Sequence, residues 1–415
     1  MHKETAFKIL LYILIPLQLL IFTFLVPPFQ KPDEKPHFEK SLLISKGYLF
    51  CQKKSNNTVP LEKKYIDFIK RGPEKTDFNI DYLCSFPVIS YLPQALALVI
   101  ASIFKLNPLL SLYFGRLAMA LLGYFWFLYL YRKISDNYKL IVLFTFSLPM
   151  TLHQISSFSY DALHIMLALT FFTLIMNYRL KKRLDSWIYL KLFFVLFLFL
   201  SSKKIGYETF YLFLFLLPFK IKSMIVSTVI FIPFYFLSKI TGSYDLQYSL
   251  TNLVYNPLQQ LNFLLSDPFN ILKVIAITTI QRLGFYLQSM IGIFGWLEYG
   301  LDPLSYLIYG LLFVYVIVGT IHELSLQKYK TILLFLTLLI SYIFIVLLAF
   351  VFNTTAGVLT AHGIQGRYFI PFLPFIIFFI IQIKTSPIFQ KVLYLSIVIF
   401  LISATFYAVF KRYYW

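Results

Sequence analysis

The chain has 415 residues, 59% of them hydrophobic and 13% charged, with a mean hydropathy of +0.75 and a formal net charge of +19. A soluble domain cannot hide that much apolar surface, and the apolar runs are long enough to cross lipid, so the composition points to a polytopic all-α membrane protein. A β-barrel would show alternating segments of roughly ten residues, which are absent. Nucleic acid is excluded as a partner, because Lys and Arg cluster in short connectors between apolar runs rather than along a basic groove.

In chain order, the basic start MHKETAFK is expected in the cytoplasm. The first apolar run, about Ala6–Val26, lacks a small-residue cleavage site and runs into Pro27-Pro28, which predicts a retained signal-anchor helix. A long polar region, residues 27–107, follows as the first outer loop and carries short amphipathic helices. It holds both cysteines, Cys51 and Cys84. They are a disulfide candidate if the region faces an oxidising compartment, and two unrelated thiols fit equally well. Within it, SFPVISYLPQALALVIASIF is expected to lie along the interface; a true span there would invert all later topology.

A second helix covers Leu109–Tyr131, a third runs from Lys139 to Met150, and TLHQISSFSYDA forms an outer loop before the fourth. The fifth starts near Trp187 and ends at SSKKIGY, the sixth runs to Pro218, and the seventh covers about Met224–Ile240. Residues 241–302 read as a second outer region, in which apolar Val274–Leu297 carries Gln281, Arg282 and Gln288 and suits a surface or re-entrant segment. Two helices flank QKYK, an outer loop holds GIQGRY, and two last helices flank IKTSPIFQK. The expectation is one domain, residues 1–415, of about eleven spans.

Ionisable residues at membrane depth cost roughly 2.5–3.5 kcal/mol each on insertion scales, so each needs a reason. Asp33, Glu34 and His37 sit in VPPFQKPDEKPHF, where Pro27, Pro28, Pro32 and Pro36 restrict the backbone. A carboxylate held there can serve as a general base on a hydroxyl, although a solvated loop start would show the same residues. Asp161 and His164 fall on one helical face of FSYDALHI. An ordinary role for Asp161 is interaction with the helix dipole. Lys203 and Lys204 lie on the outer side against the positive-inside trend, which suits either an anionic partner such as a phosphate or snorkelling to the interface. Arg367 and Tyr368 in GIQGRYFIPFLP enter a late helix, where Arg suits phosphate or carboxylate and the pair also suits interfacial anchoring. Arg116 lies inside the second helix and requires a cavity or a partner that the sequence does not name. A divalent metal ion is a further candidate, on Asp33, Glu34, His37 and Asp161 with His153 and His362. No two of these have ligand-like local spacing, and isolated, hydrogen-bonded histidines are the simpler expectation.

VPPFQKPDEKPHF, the stretch from SFPVISY to YFGRLA, LPMTLHQISSFSYDAL, NPLQQLNFLLSDPF with GIFGWLEYGLDP, and GIQGRYFIPFLP resemble, in this order, a poorly characterised family of bacterial membrane proteins grouped with the GT-C glycosyltransferases. The resemblance covers nearly the whole chain. It departs at Lys35 and Pro36, where a small residue is usual, and in having fewer prolines near SFPVISY. GT-C enzymes such as the protein O-mannosyltransferases and lipid A aminoarabinose transferases take a sugar from a polyprenyl-phosphate carrier. The resemblance therefore implies catalytic roles for Asp33 and Glu34 and a second acidic residue at Asp161; Lys203, Lys204 and Arg367 are candidates for the donor phosphate by location rather than by motif, and His37, His164, Tyr368 and Arg116 are further substrate-contact candidates. It implies an inverting transferase on the outer face of a bacterial inner membrane, with a polyprenyl-phosphate-linked sugar donor, a glycan, lipid or protein acceptor of the cell envelope, and membrane lipids as partners. The alternative is a lipid-linked sugar transporter or assembly partner, which needs the cations but not the acidic pair.

Overall fold

The computed structural model describes residues 10–49, 58–60, 62–70, 77–79, 83, 86–181, 184–203, 206–218, short stretches between 225 and 236, 256–319, 326–381 and 391–414. Helix dominates. A π-turn, Leu10–Leu14, leads into α1 (Ile15–Phe24), whose end precedes Pro27-Pro28. Helix α2 (Glu34–Ser45) follows, then α3 (Lys63–Lys70) between two short antiparallel strands, β1 (Thr58–Pro60) and β2 (Asp77–Asn79). A 3-10 turn, Val88–Tyr91, opens α4 (Leu92–Ile103), which packs on α2 and on α5 (Pro108–Lys133). Asn107 caps α5 by accepting from the Leu110 N–H at 2.8 Å, with Pro108 at the first helical position.

The third expected span is broken. Helix α6 (Lys139–Ser147) stops at extended Leu148, and Pro149 starts a separate helix α7 (Pro149–Ile155). Part of TLHQISSFSYDA is thus buried helix rather than outer loop, because Pro149 cannot continue α6 but can begin a new turn. Helices α8 (Tyr160–Tyr178) and α9 (Ser186–Ser201) follow, and the sixth expected helix is a 3-10 segment, Glu208–Leu216. The two outer-region helices α10 (Pro257–Ser266) and α11 (Pro268–Gly292) are bent by 113° at Asp267, a broken span or a re-entrant loop. A two-residue hairpin of β3 (Ile293–Phe294) and β4 (Tyr299–Gly300) joins α11 to α12 (Pro303–Gly319). Helix α13 (Lys328–Asn353), the 3-10 segment Gly366–Phe372 with α14 (Leu373–Ile381), and α15 (Lys391–Tyr414) complete the chain.

Among the described residues α5, α8 and α13 are long and apolar enough to cross a membrane, or four spans if α10 and α11 count as one. The apolar window of α8 is 83% buried, against 33% for α13. Helix α8 is therefore the centre of the bundle, and α13 presents most of its surface outward. Around α8, with its Phe171 and Phe172, packs a continuous apolar core from α1, α5, α6, α7, α9 and α14, including Phe22, Phe127, Phe146 and Phe375.

Candidate active site

Two buried charge clusters meet at the Asp33-Glu34 step. Asp33 has a left-handed backbone (φ 58°, ψ 13°) and starts α2. Asp tolerates that conformation better than most residues, and the turn sends adjacent carboxylates to different partners.

Glu34 is fully buried against Arg116. Arg116 Nε donates to Oε1 at 2.7 Å and Nη2 to Oε2 at 2.5 Å. The remaining guanidinium N–H groups donate to the carbonyls of Thr23, Val26 and Pro27 at 3.1, 2.6 and 3.0 Å. All five donors of Arg116 are thus satisfied, three of them by carbonyls where α1 runs out. The Phe29 N–H adds a hydrogen bond to Glu34 Oε2 at 3.1 Å. Burial pushes the Glu34 carboxyl up, but Arg116, with Lys31 adding to it, outweighs that and holds it below the usual range. Lys31 is buried too; its Nζ donates to the Ser156 carbonyl and, at 3.2 Å, to Ser156 Oγ. Burial, reinforced by Arg116, holds Lys31 well below the ordinary lysine range. This cluster ties α1, α2, α5 and the 156 turn together.

Asp33 belongs to the second cluster. Its Oδ2 accepts from Arg367 Nη2 at 3.0 Å. Arg367 Nε lies 3.3 Å from Asp161 Oδ2, near enough for an ion pair but not aligned for a hydrogen bond. Asp161 Oδ1 accepts from Lys203 Nζ at 2.8 Å. Two carboxylates and two cations alternate in a chain, Asp33–Arg367–Asp161–Lys203. The side chains of Arg367 and Asp161 are 2% and 3% exposed, whereas that of Asp33 is 40% exposed, so Asp33 is the accessible member.

Aromatic side chains wall the chain. Lys203 Nζ stands 4.0 Å from the Tyr368 ring centre and 5.1 Å from those of Tyr160 and Tyr207. The Tyr207 hydroxyl accepts from Lys203 at 3.1 Å and donates to the Tyr368 carbonyl at 3.0 Å. His37 Nδ1 shares a hydrogen bond of 2.7 Å with the Tyr91 hydroxyl, and its ring meets Tyr160 edge-on at 4.8 Å. Burial drives the His37 pKa down to about 4, with the nearby Asp33 carboxylate opposing the shift. His164, one turn below Asp161, pairs Nδ1 with Ser202 Oγ at 2.7 Å and stacks on Phe199. Asp161 and His164 thus present one face of α8 to Ser202, Lys203 and Tyr207.

Gly366 places Arg367. A Cβ there would lie 2.0 Å from the Tyr286 carbonyl and 2.2 Å from the Met290 nitrogen of α11, so only glycine allows this approach. The Gly366 N–H donates to Ser289 Oγ at 2.8 Å and locks the contact.

The structure thus brings Asp33, His37, Asp161, Lys203, Arg367 and Tyr368 together, with His164 on their margin. Arg116, expected to contact substrate, is instead wholly internal. Glu34 is bound to Arg116 and lies outside the Asp33 chain. Lys204, Cys51 and Cys84 lie outside the described residues. Among those described, no three His, Cys, Asp or Glu side chains converge on a point that would hold a metal ion. Asp33 and Asp161 face cations instead, so their donor sets do not fit a metal. His153 differs from the expected satisfied histidine: it is buried between Phe22 and Phe294, and neither ring nitrogen has a hydrogen-bond partner. Lys31, Tyr91, Tyr160 and Tyr207 were not singled out from the sequence, where a Tyr among 31 carries no mark.

Residues 70–376 match the family described as "Predicted membrane protein (DUF2142)", and the chain belongs to that family. The matched span holds Arg116, Asp161, Lys203 and Arg367 and begins after Asp33. No curated protein and no solved structure matches the chain.

Proposed function

We propose that the protein is a GT-C-like, inverting membrane glycosyltransferase of about eleven spans, working on the outer face of the bacterial inner membrane. It takes a sugar from a polyprenyl-phosphate donor to a hydroxyl-bearing cell-envelope acceptor. The observation that carries this reading is the Asp33–Arg367–Asp161–Lys203 chain with its one accessible carboxylate.

The chemistry follows from that arrangement. Asp33 takes the proton of the acceptor hydroxyl as its oxygen attacks the anomeric carbon. The bond from that carbon to the phosphate oxygen breaks, and its electron pair leaves on the carrier phosphate. A phosphate departs as a stable anion and needs no general acid, unlike the alcohol released in glycoside hydrolysis. Arg367 and Lys203 stabilise the charge that develops on it, and Asp161 fixes both cations beforehand. Glu34 is a positioning residue in this scheme: with Arg116 it anchors the turn from which Asp33 projects. An apolar groove beside the 3-10 segment, lined by Phe369 and Phe372, suits the chain of a lipid-borne donor.

The test is reconstitution with a labelled polyprenyl-phosphate sugar, comparing the parent with Asp33→Asn. Glycosidic bond formation lost in the variant is expected. Translocation of the donor without bond formation by the parent would instead favour a carrier transporter, and near-parental transfer by Asp33→Asn would remove Asp33 as the base.

A further inference from the structure

The strip that carries Asp33 turns on two residues with left-handed backbones, Phe29 (φ 61°) and Asp33 itself (φ 58°). Neither is glycine, and such conformations last only where their surroundings hold them. From inside, Arg116 binds the carbonyls of Val26 and Pro27, and Glu34 accepts from the Phe29 N–H. Lys31 is tied to Ser156. The Gln30 carbonyl, between Phe29 and Asp33, is held from another quarter. The Tyr413 hydroxyl of α15 donates to it at 3.3 Å, across 383 residues of chain.

Tyr413 is itself held in place. Its ring meets Tyr299 of β4 edge-on, with centroids 5.6 Å apart at 88°. Arg412 pairs with Glu298 in the turn of the same hairpin. Gly295 opens that turn at φ 62°, and a Cβ there would lie 3.0 Å from the Tyr299 ring and 3.7 Å from the Tyr413 hydroxyl. The hairpin is fixed in turn by Phe294, whose ring lies 5.4 Å from Phe22 of α1 and 5.2 Å from His153 of α7. Helix α15 also packs along the π-turn, α1 and β4. Hairpin and last helix thus form one brace, set on α1 and reaching the strip that follows it. The family match, residues 70–376, includes neither the strip nor α15, yet the fold joins the two.

We infer that Tyr413 is a positioning residue for Asp33: braced by the hairpin, its hydroxyl fixes the Gln30 turn and with it the direction in which Asp33 projects. Glu34 and Arg116 hold the inner side of the same strip and share no hydrogen bond with Tyr413. The inference extends to the last helix, and it rests on the transferase reading only for the use made of Asp33.

The test is modification of carboxylates in the full-length protein in nanodiscs, with a water-soluble carbodiimide and a labelled amine, read residue by residue by mass spectrometry. The Asp33 side chain is 40% exposed and that of Glu34 is 0% exposed, so the parent is labelled at Asp33 and not at Glu34. Loss of one neutral hydrogen bond frees the turn about two- to tenfold more often. Asp33 labelling is expected to rise by about that factor in Tyr413→Phe and by more in Tyr413→Ala, as its hold on Arg367 loosens, with Glu34 still unlabelled. Unchanged Asp33 labelling in both variants overturns the inference. So does labelling of Glu34 alongside it, which marks general loosening of the fold. A photoreactive benzoylphenylalanine at position 413 keeps an aromatic ring there and supplies a second measurement should Tyr413→Ala fail to fold. Cross-links to residues 27–33 are expected, and cross-links that miss this strip overturn the inference. In the transfer assay Tyr413→Phe lowers kcat by the same factor and leaves the donor KM unchanged, and the effect disappears in an Asp33→Asn background. An equal loss in that background assigns the effect to the fold at large and overturns the role. Absence of transfer by the parent would sink the transferase reading and leave the labelling result standing, whereas unchanged labelling would remove Tyr413 and leave the role of Asp33 untouched.

Discussion

Replacing Arg116 with Met tests the internal mount most directly. The change keeps bulk in a fully buried position and removes all five hydrogen bonds. Glu34 is left as a buried, uncompensated carboxylate, and the carbonyls of Thr23, Val26 and Pro27 lose their donor. Breaking a buried ion pair from one side costs about 3–5 kcal/mol, and each orphaned buried acceptor adds about 1–3 kcal/mol before water relieves part of it. A loss of at least about 3 kcal/mol is expected. Replacing both partners, Arg116→Met with Glu34→Leu, removes the charge and its orphan together, so the double variant is more stable than Arg116→Met alone. The expected coupling is at least about 2 kcal/mol, near the upper part of the range for contacting pairs. Unfolding of the purified protein in detergent, followed by near-ultraviolet circular dichroism against added SDS, measures all four members of the cycle. Additive single effects, or an Arg116→Met variant within about 1 kcal/mol of the parent, would refute the assignment of Glu34 to the mount.

Three further outcomes follow from the same geometry. Asp33→Asn lowers transfer by about a hundredfold or more, the usual worth of a general base, with an unchanged unfolding midpoint; Glu34→Gln does the reverse, losing stability first, and comparing the two in the reconstituted assay separates base from mount. Gly366→Ala must displace the Arg367 backbone from α11, because the new Cβ would overlap Tyr286 and Met290 main-chain atoms; overpacking of that kind costs about 1–3 kcal/mol, and transfer should fall more than the midpoint does. His37, whose pKa is driven down to about 4 in the folded protein, binds its proton more readily when unfolded. Its contribution to stability is therefore present above about pH 6.5 and is lost as the pH falls toward 4, by up to about 3 kcal/mol. A His37→Phe variant should flatten the stability profile across that window, and an equally steep profile in the variant would assign the loss to other groups.

The helical membrane class was legible in composition, and the second expected helix matches α5 closely. The break at Pro149 was not legible, because hydropathy alone runs across it as one span where the chain forms α6 and α7. The polar residues of the cluster were also visible, since Asp161, Lys203 and Arg367 interrupt apolar stretches and Asp33 lies in a polar, proline-rich strip. Their division of labour was not. Asp33 and Glu34 are neighbours of like charge in a proline-rich strip, and nothing local distinguishes them. The distinction comes from a left-handed turn at Asp33 and from partners 334 and 82 residues away, Arg367 for one and Arg116 for the other. Hydropathy and spacing report what a residue must avoid, which is lipid; which opposite charge relieves it depends on how α1, α5, α8 and the 3-10 segment pack, and only the tertiary structure decides that.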